Sequence, residues 1–264
     1  MKAAVFTRFA VERDPAKKFF STSKGTQWID DALLLSAETS ILSVSNLNPP
    51  PSFWYILIDS TLTKDLQKKV QEWFGSKSAV PVGLIEVDGW MSCDDCISNH
   101  TGCQEMSLQI RLDYDDILKS SYIKQALTAI ELNQTTLFCP IRGFQWNFRP
   151  TILGGITKDK APFSALYRKD KSTDLTIFSY DHDLWPEMLI TEFDKDELWI
   201  QTISGRNITN KFGRHWLVKK FLYVKEINMN DWLGKNVVLT NQSRFIGLRN
   251  IAEHIRNIYR SLFE

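Results

Sequence analysis

The segment Phe53–Asp59, together with the elements that follow it, constrains the fold more than any other part of the sequence. Its residues are aromatic and β-branched without polar alternation, which is the pattern of a central parallel strand buried on both faces. An amphipathic helix is predicted over 63–74, with Thr63 as its N-cap, and a further strand over 80–87. This strand–helix–strand order with short connections predicts a parallel α/β sheet with right-handed crossovers.

The rest of the chain extends this unit on both sides. We predict a strand over 3–9, a strand or helix–strand junction over 106–112, and helices over 28–45 and 118–132. The later chain consists of short apolar or aromatic segments separated by turns, which predicts a mixed or antiparallel extension before a C-terminal helix over 245–263. The expected fold is therefore one continuous α/β domain, with a mostly parallel central sheet flanked by helices and with two halves, 1–132 and 133–264.

Composition and charge exclude several classes of protein. Hydrophobic residues make up 43% and charged residues 24% of the 264 residues, the balance of a globular chain with a sizeable core. The net charge of +1 provides no global field that would attract nucleic acid or an anionic membrane. The sequence has neither a signal peptide nor an apolar stretch of the roughly 20 residues that a membrane helix needs. We therefore expect a cytoplasmic protein without a transmembrane segment.

The most informative stretch is the acidic cluster at 113–116, which follows Arg111. In an extended segment Asp113 and Asp115 would point to one face and share a metal, while Asp116 would cap a following helix. Carboxylate oxygens suit Mg²⁺ or Mn²⁺, and three neighbouring carboxylates repel one another unless a cation or Arg111 compensates. The alternative is a solvated acidic loop. The position at the carboxyl end of a predicted sheet strand favours a ligand site.

Four motifs, taken in their order along the chain, resemble one family. They are Phe6-Thr7-Arg8-Phe9, Trp54-Tyr55-Ile56-Leu57-Ile58-Asp59, Arg-Leu-Asp-Tyr-Asp-Asp at 111–116, and a tryptophan-led strand with a glycine–asparagine turn at 198–207. Over most of residues 3–210 the sequence resembles A-type glycosyltransferases, and more narrowly a bacterial rhamnosyltransferase family. The resemblance implies a Rossmann-type GT-A fold and metal-dependent transfer of a sugar, such as rhamnose, from a dTDP- or UDP-linked donor. The acceptor would be a hydroxyl of a glycan or lipid-linked saccharide.

The same resemblance implies roles for individual residues. The donor would be bound in the first half by Thr7, Arg8, Asp59, Arg111 and Asp113. A Mn²⁺ or Mg²⁺ ion would be held by Asp113, Asp115, Asp116 and His182. The general base, in the acceptor-binding second half, would be Asp181, Asp183 or Glu187. Alternatives stay open for three of these positions: Arg8 in a surface ion pair, Asp59 as a cap or turn residue, and 180–183 as a polar turn.

A cysteine-rich segment departs from the family pattern. Cys93, Cys96, His100 and Cys103 are dense enough to form a Cys₃His zinc site, which would be structural and would staple the loop that leads to the acidic cluster. The alternative is a loop in which the cysteines are reduced or one pair is oxidised.

Aromatic residues of the second half leave the acceptor site and the overall activity open. Gly143, the string 144–148, Trp185, Trp199 and Trp216 would line an acceptor site or fill the core. The C-terminal helix would dock on the core or lie on a membrane that carries a lipid-linked acceptor. Two other activities fit the same residues: a GT-A enzyme that uses UDP-glucose or UDP-galactose, and a nucleotide- or carbohydrate-binding protein without catalysis.

Overall fold

A computed structural model describes residues 1–148, 151–158, 163–170, 174–181, 184–203, 218–224 and 226–240. The predictions for His182, Asp183, Trp216, the glycine–asparagine turn at 205–207 and the helix at 245–263 lie outside the described residues. Within the described ranges, no helix combines the length and the apolar character that crossing a lipid bilayer requires.

The elements alternate between helices and strands in the first half and are mostly strands in the second. The helices are α1 (Ser23–Glu38), α2 (Ser40–Ser45), α3 (Lys64–Lys77), α4 (Cys93–Asn99), α5 (Thr101–Gln104), α6 (Tyr122–Ala129) and α7 (Asn230–Leu233). The strands are β1 (Ala3–Arg8), β2 (Phe53–Asp59), β3 (Val82–Val87), β4 (Leu108–Arg111), β5 (Ile117–Leu118), β6 (Thr136–Pro140), β7 (Arg142–Phe148), β8 (Thr151–Lys158), β9 (Ala165–Tyr167), β10 (Ile190–Phe193), β11 (Trp199–Ile203), β12 (Val218–Tyr223), β13 (Glu226–Asn228) and β14 (Val238–Thr240).

The larger sheet has seven strands in the order β10-β6-β9-β4-β1-β2-β3. Strands β4, β1, β2 and β3 pair in parallel, and β10 pairs in parallel with β6. Strand β9 runs antiparallel to both of its neighbours, β4 and β6. All strands of this sheet except β9 therefore run in one direction, which confirms the predicted mostly parallel sheet.

A second sheet forms the mixed extension that the short segments of the later chain predict. Its order is β12-β8-β7-β11-β5, with antiparallel pairs except for the parallel pair β7–β11. Strand β5 comes from before residue 132, whereas β6, β9 and β10 of the larger sheet come from after it. Each sheet thus draws strands from both sides of the proposed division, and the division itself stays a prediction.

Strand β2 is apolar throughout because both faces of the larger sheet are covered. Trp54, Ile56 and Ile58 pack in one cluster with residues of α1, α2 and α3. Tyr55 and Leu57 point to the other face and pack with residues of α4 and α5. A strand buried in this way keeps apolar side chains at every position, as the sequence predicts.

Two helix predictions need correction. The helix predicted over 28–45 begins earlier, at Ser23, and is interrupted at Thr39, whose backbone leaves the helical region before α2 begins. The helix predicted over 118–132 is only α6, because Ile117 and Leu118 instead pair with β11. The Leu118 backbone N–H also donates to Ser43 Oγ at 2.8 Å, which holds this short strand against α2.

Candidate functional site

The strand order of the larger sheet switches sides between β1 and β4. Strands β2 and β3 are added on one side of β1, and β4 is added on the other side. Ligands of open α/β sheets bind at the carboxyl edge of such a switch point. The pairing register places Arg111 opposite Phe6, so that Arg111 and Arg8, two residues beyond Phe6, belong to the same face at this edge.

These two side chains, which we call the arginine pair, converge on one aromatic ring. The Arg8 Cζ atom lies 5.1 Å and the Arg111 Cζ atom 5.5 Å from the centroid of the Phe178 ring. Arg8 also stacks on Trp90, with its Cζ atom 3.8 Å from the ring centroid. Arg111 is only 7% exposed and Arg8 is half-buried. The Trp90 and Phe178 rings therefore restrict the positions of the two guanidinium groups.

The arginine pair carries hydrogen-bonding capacity that nothing in the described ranges uses. The Nε atoms of Arg8 and Arg111 are buried and have no hydrogen-bond partner there, and neither side chain forms an ion pair with a described carboxylate. Burial and the like charge of Arg111 lower the pKa of Arg8 to about 10, while the nearby Asp113 and Asp181 act in the opposite direction. Arg8 is still protonated at neutral pH, so the site holds two positive charges.

The sequence segment 113–116, which we call the acidic turn, does not have the extended conformation that was predicted. The Asp116 backbone N–H donates to the Asp113 carbonyl oxygen at 3.2 Å, which closes a turn directly after β4. The alternation that would place Asp113 and Asp115 on one face is therefore absent. Asp116 does not cap a helix either, because strand β5 follows it.

Two of the three acids serve as anchors for the second sheet. Asp115 and Asp116 are 3% and 2% exposed. The Asp116 Oδ1 atom accepts a hydrogen bond from the Thr202 backbone N–H at 2.7 Å, and Thr202 Oγ1 donates to the Asp115 carbonyl oxygen at 2.7 Å. Burial, together with the charges of Asp115 and Asp113, raises the pKa of Asp116 well above its ordinary value.

A buried lysine that sequence reasoning missed faces this turn from β8. Lys158 is 2% exposed, and its Nζ atom donates to Gln201 Oε1 at 2.7 Å. Burial lowers the pKa of Lys158 to about 8, and the charges of Asp116 and Asp113 oppose that shift. No motif marks Lys158 in the sequence, because its partners lie more than 40 residues away along the chain.

The described residues do not fit a metal held by the acidic turn. Nowhere in the described ranges do three or more His, Cys, Asp or Glu side chains form a group that could hold a metal ion. Asp115 and Asp116 are buried in the contacts given above, which leaves Asp113 as the one half-buried carboxylate of the turn. A cation bound by Asp113 would lie near Arg8, whose like charge opposes its binding.

Thr7 and Asp59 are engaged in contacts within the protein. Thr7 is fully buried on the face opposite to Arg8, and its Oγ1 atom accepts a hydrogen bond from Trp54 Nε1 at 3.0 Å. Asp59 is 1% exposed and its carboxylate accepts from the Glu12 N–H at 3.2 Å, the Thr61 N–H at 3.1 Å and Thr61 Oγ1 at 2.6 Å. Both geometries favour structural roles, which for Asp59 is the cap or turn alternative.

Of the candidate bases, Asp181 is the described residue that lies near the arginine pair. Its side chain is exposed, and its charge acts on Arg8. Its backbone carbonyl accepts a hydrogen bond from the Leu184 N–H at 2.9 Å. Glu187 is also exposed and lies in a short 3₁₀ turn, Glu187–Leu189, without a contact to the arginine pair.

The structure does not gather the cysteine-rich segment into a metal site. The Cys93 thiol contacts the Gly89 carbonyl oxygen at 3.7 Å, whereas the Cys103 thiol is fully buried near the Tyr55 hydroxyl. Burial raises the pKa of Cys93 to about 11 and that of Cys103 to about 12. His100 packs edge-on against the Tyr55 ring, and Cys96 is half-buried. The cysteines of this segment are free thiols in this structure, and zinc binding by the segment stays a prediction.

Two of the tryptophans predicted for an acceptor site, Trp185 and Trp199, are buried. Trp199 is fully buried, stacks on Phe163 at 4.6 Å between centroids, and donates from Nε1 to the Pro140 carbonyl oxygen at 2.8 Å. Gly143 lies against this ring, where an added Cβ atom would approach Trp199 Cδ2 to 2.3 Å. Trp185 is 2% exposed. Their burial favours the core alternative for these residues.

Comparisons with known proteins give distant structural likenesses only. No protein-family model matches the chain, and no curated protein matches it either. The chain is similar to Staphylococcus aureus TarS 1-349 in complex with UDP-GlcNAc, with 12% identity and a TM-score of 0.43, covering 77% of this chain and 59% of that one. It is also similar to HddC from Yersinia pseudotuberculosis, with 10% identity and a TM-score of 0.38, covering 77% and 90%. The chain thus spans about three fifths of the TarS chain.

Proposed function

We propose that this chain is a glycosyltransferase that takes a nucleotide-diphosphate sugar as its donor. The observation that carries the proposal is the arginine pair at the switch point of a mostly parallel sheet. A guanidinium group presents planar, bidentate donors that match phosphate oxygens. The sequence resemblance supports the same chemistry, and the donor would be dTDP- or UDP-linked, with rhamnose, glucose or galactose as the sugar.

The proposed reaction uses the two charges of the arginine pair on the leaving group. The acceptor oxygen forms a bond to the anomeric carbon as the bond from that carbon to the diphosphate oxygen breaks. Negative charge then grows on the diphosphate, where Arg8 and Arg111 stabilise it. The acceptor, a glycan or lipid-linked saccharide, gives up its hydroxyl proton to a carboxylate.

Asp181 is our proposed general base. Asp181 is an exposed carboxylate close enough to Arg8 to raise the pKa of that arginine. An acceptor hydroxyl next to a diphosphate bound by Arg8 would therefore lie near Asp181. Asp183 and Glu187 are the further candidates for this step. Loss of a positioned base typically lowers a rate by about 10²–10⁴-fold.

The experiment is a panel of nucleotide sugars assayed for release of the nucleoside diphosphate, with and without candidate acceptors. We expect release from at least one donor, and a drop of about 10²–10⁴-fold in Asp181→Asn with donor affinity retained. Asp95→Asn, an exposed acid in the first turn of α4, is the matched control and keeps wild-type turnover. A wild-type protein that binds donors but releases no diphosphate would instead be a non-catalytic binding protein.

A further inference from the structure

The arginine pair lacks the partners that buried cations normally have. Arg8 and Arg111 lie within 5.5 Å of the same Phe178 ring centroid, yet neither forms an ion pair in the part of the chain that the structure describes. Their Nε atoms are buried and have no acceptor there. Leaving such donors unsatisfied and two like charges together is unfavourable, so the pair is poised to bind an anion with several oxygen atoms.

A diphosphate group supplies what the pair lacks. Its oxygens accept hydrogen bonds in the plane of each guanidinium, and its charge opposes the repulsion between the two cations. The stacking of Arg8 on Trp90 holds one guanidinium in place before the ligand arrives, which lowers the entropic cost of binding.

The acidic turn offers at most one partly exposed carboxylate, Asp113, to a divalent cation at that diphosphate. Asp116 accepts the Thr202 N–H, Asp115 is 3% exposed, and Asp113 lies near the positive charge of Arg8. Carboxylates would bind the diphosphate only through a cation, whereas the arginines can bind its oxygens directly. The arginines, by contrast, keep buried Nε donors that have no acceptor in the described ranges.

We infer that the donor diphosphate is bound directly by Arg8 and Arg111, and that the arginine pair takes the place of a divalent cation in this enzyme. This inference rests on the proposed function and adds how the leaving group is neutralised. Its consequence is that donor binding and turnover are independent of Mn²⁺ and Mg²⁺.

The first test measures UDP and dTDP affinity for the wild-type chain by calorimetry, in excess EDTA and again with Mn²⁺. We expect the tighter of the two nucleotides to bind in EDTA, with its affinity changed by less than about threefold by Mn²⁺. Binding that requires Mn²⁺ would overturn the inference and leave the proposed function standing. Failure of every nucleoside diphosphate to bind under both conditions would overturn the proposed function itself.

The second test assigns the binding to the arginine pair. In EDTA, Arg111→Gln and Arg8→Gln should each weaken diphosphate binding about tenfold or more, with little change in the affinity for uridine or thymidine, which carry no phosphate. Arg142→Gln is the control, because Arg142 already pairs with Glu197. Circular dichroism verifies folding, and Arg8→Gln serves if the more buried Arg111 variant does not fold. Wild-type diphosphate affinity in folded Arg8→Gln would contradict the assignment.

Discussion

The arginine pair and the acidic turn lie side by side at one sheet edge, but their polar groups are in opposite situations. The acidic turn is satisfied from within: Asp116 accepts the Thr202 N–H, and Lys158 faces it from β8. The arginine pair is held by aromatic rings and leaves both Nε atoms without partners in the described ranges. The comparison teaches that the more conspicuous motif joins two sheets, while the less conspicuous residues are the ones that keep unused hydrogen-bond donors.

The largest expected effect comes from removing the Asp116 carboxylate, which accepts the Thr202 N–H. Asp116→Ala should lower the free energy of unfolding by about 3 kcal/mol, because it leaves the buried Thr202 N–H without its acceptor and removes a nearby charge that favours the buried Lys158 ammonium. Urea denaturation followed by circular dichroism measures the loss. Asp113→Ala, which removes a half-buried neighbour, should cost less than about 1 kcal/mol. Equal losses in the two variants would mean that the acidic turn acts as one unit.

A second change probes whether the second sheet is scaffold rather than acceptor site. Gly143→Ala places a Cβ atom against the Trp199 ring and should cost about 3 kcal/mol of stability, since either the strand backbone or the fully buried ring must shift. Gly75→Ala is the matched control: nothing lies within 4 Å of its added Cβ atom, and a helix gains about 0.5–1 kcal/mol from the exchange. A Gly143→Ala protein as stable as wild type would show that this region is loosely packed.

The smallest effect concerns Thr7, which precedes Arg8 on the opposite face of β1. Thr7→Val should cost about 1–2 kcal/mol by leaving Trp54 Nε1 without its acceptor, and should leave UDP and dTDP affinity unchanged. Combined with Trp54→Phe, which removes the donor as well, the total loss should be smaller than the sum of the single losses. Weaker nucleotide binding in Thr7→Val would place Thr7 with the arginine pair instead.

Several features of the fold follow from local patterns. The unbroken apolar run of β2 predicts a strand with both faces covered, and Trp54 and Tyr55 do pack in opposite layers. The N-cap at Thr63 is also as predicted, since its side chain accepts from the Leu66 N–H. Such features depend on periodicity and on neighbours a few residues away, which sequence carries directly.

The roles of the site residues could be predicted only in part. Arg8 and Arg111 follow from their positions at strand ends, and the structure brings them together. The turn at 113–116 could not be predicted, because Asp116 is held there by the Thr202 N–H, from a residue 86 positions away along the chain. Lys158 carries no local signal at all, since Gln201 and Asp116, which surround its charge, come from distant parts of the chain.

By itself, the sequence determined the class of fold and the edge at which a ligand would bind. Apolar runs and strand–helix–strand order are local, and the carboxyl ends of parallel strands meet at one edge whatever the details. Only the tertiary structure decided which charges remain free there. Whether a carboxylate or a guanidinium is satisfied depends on partners from distant strands and on burial, and both arise when the two sheets pack together.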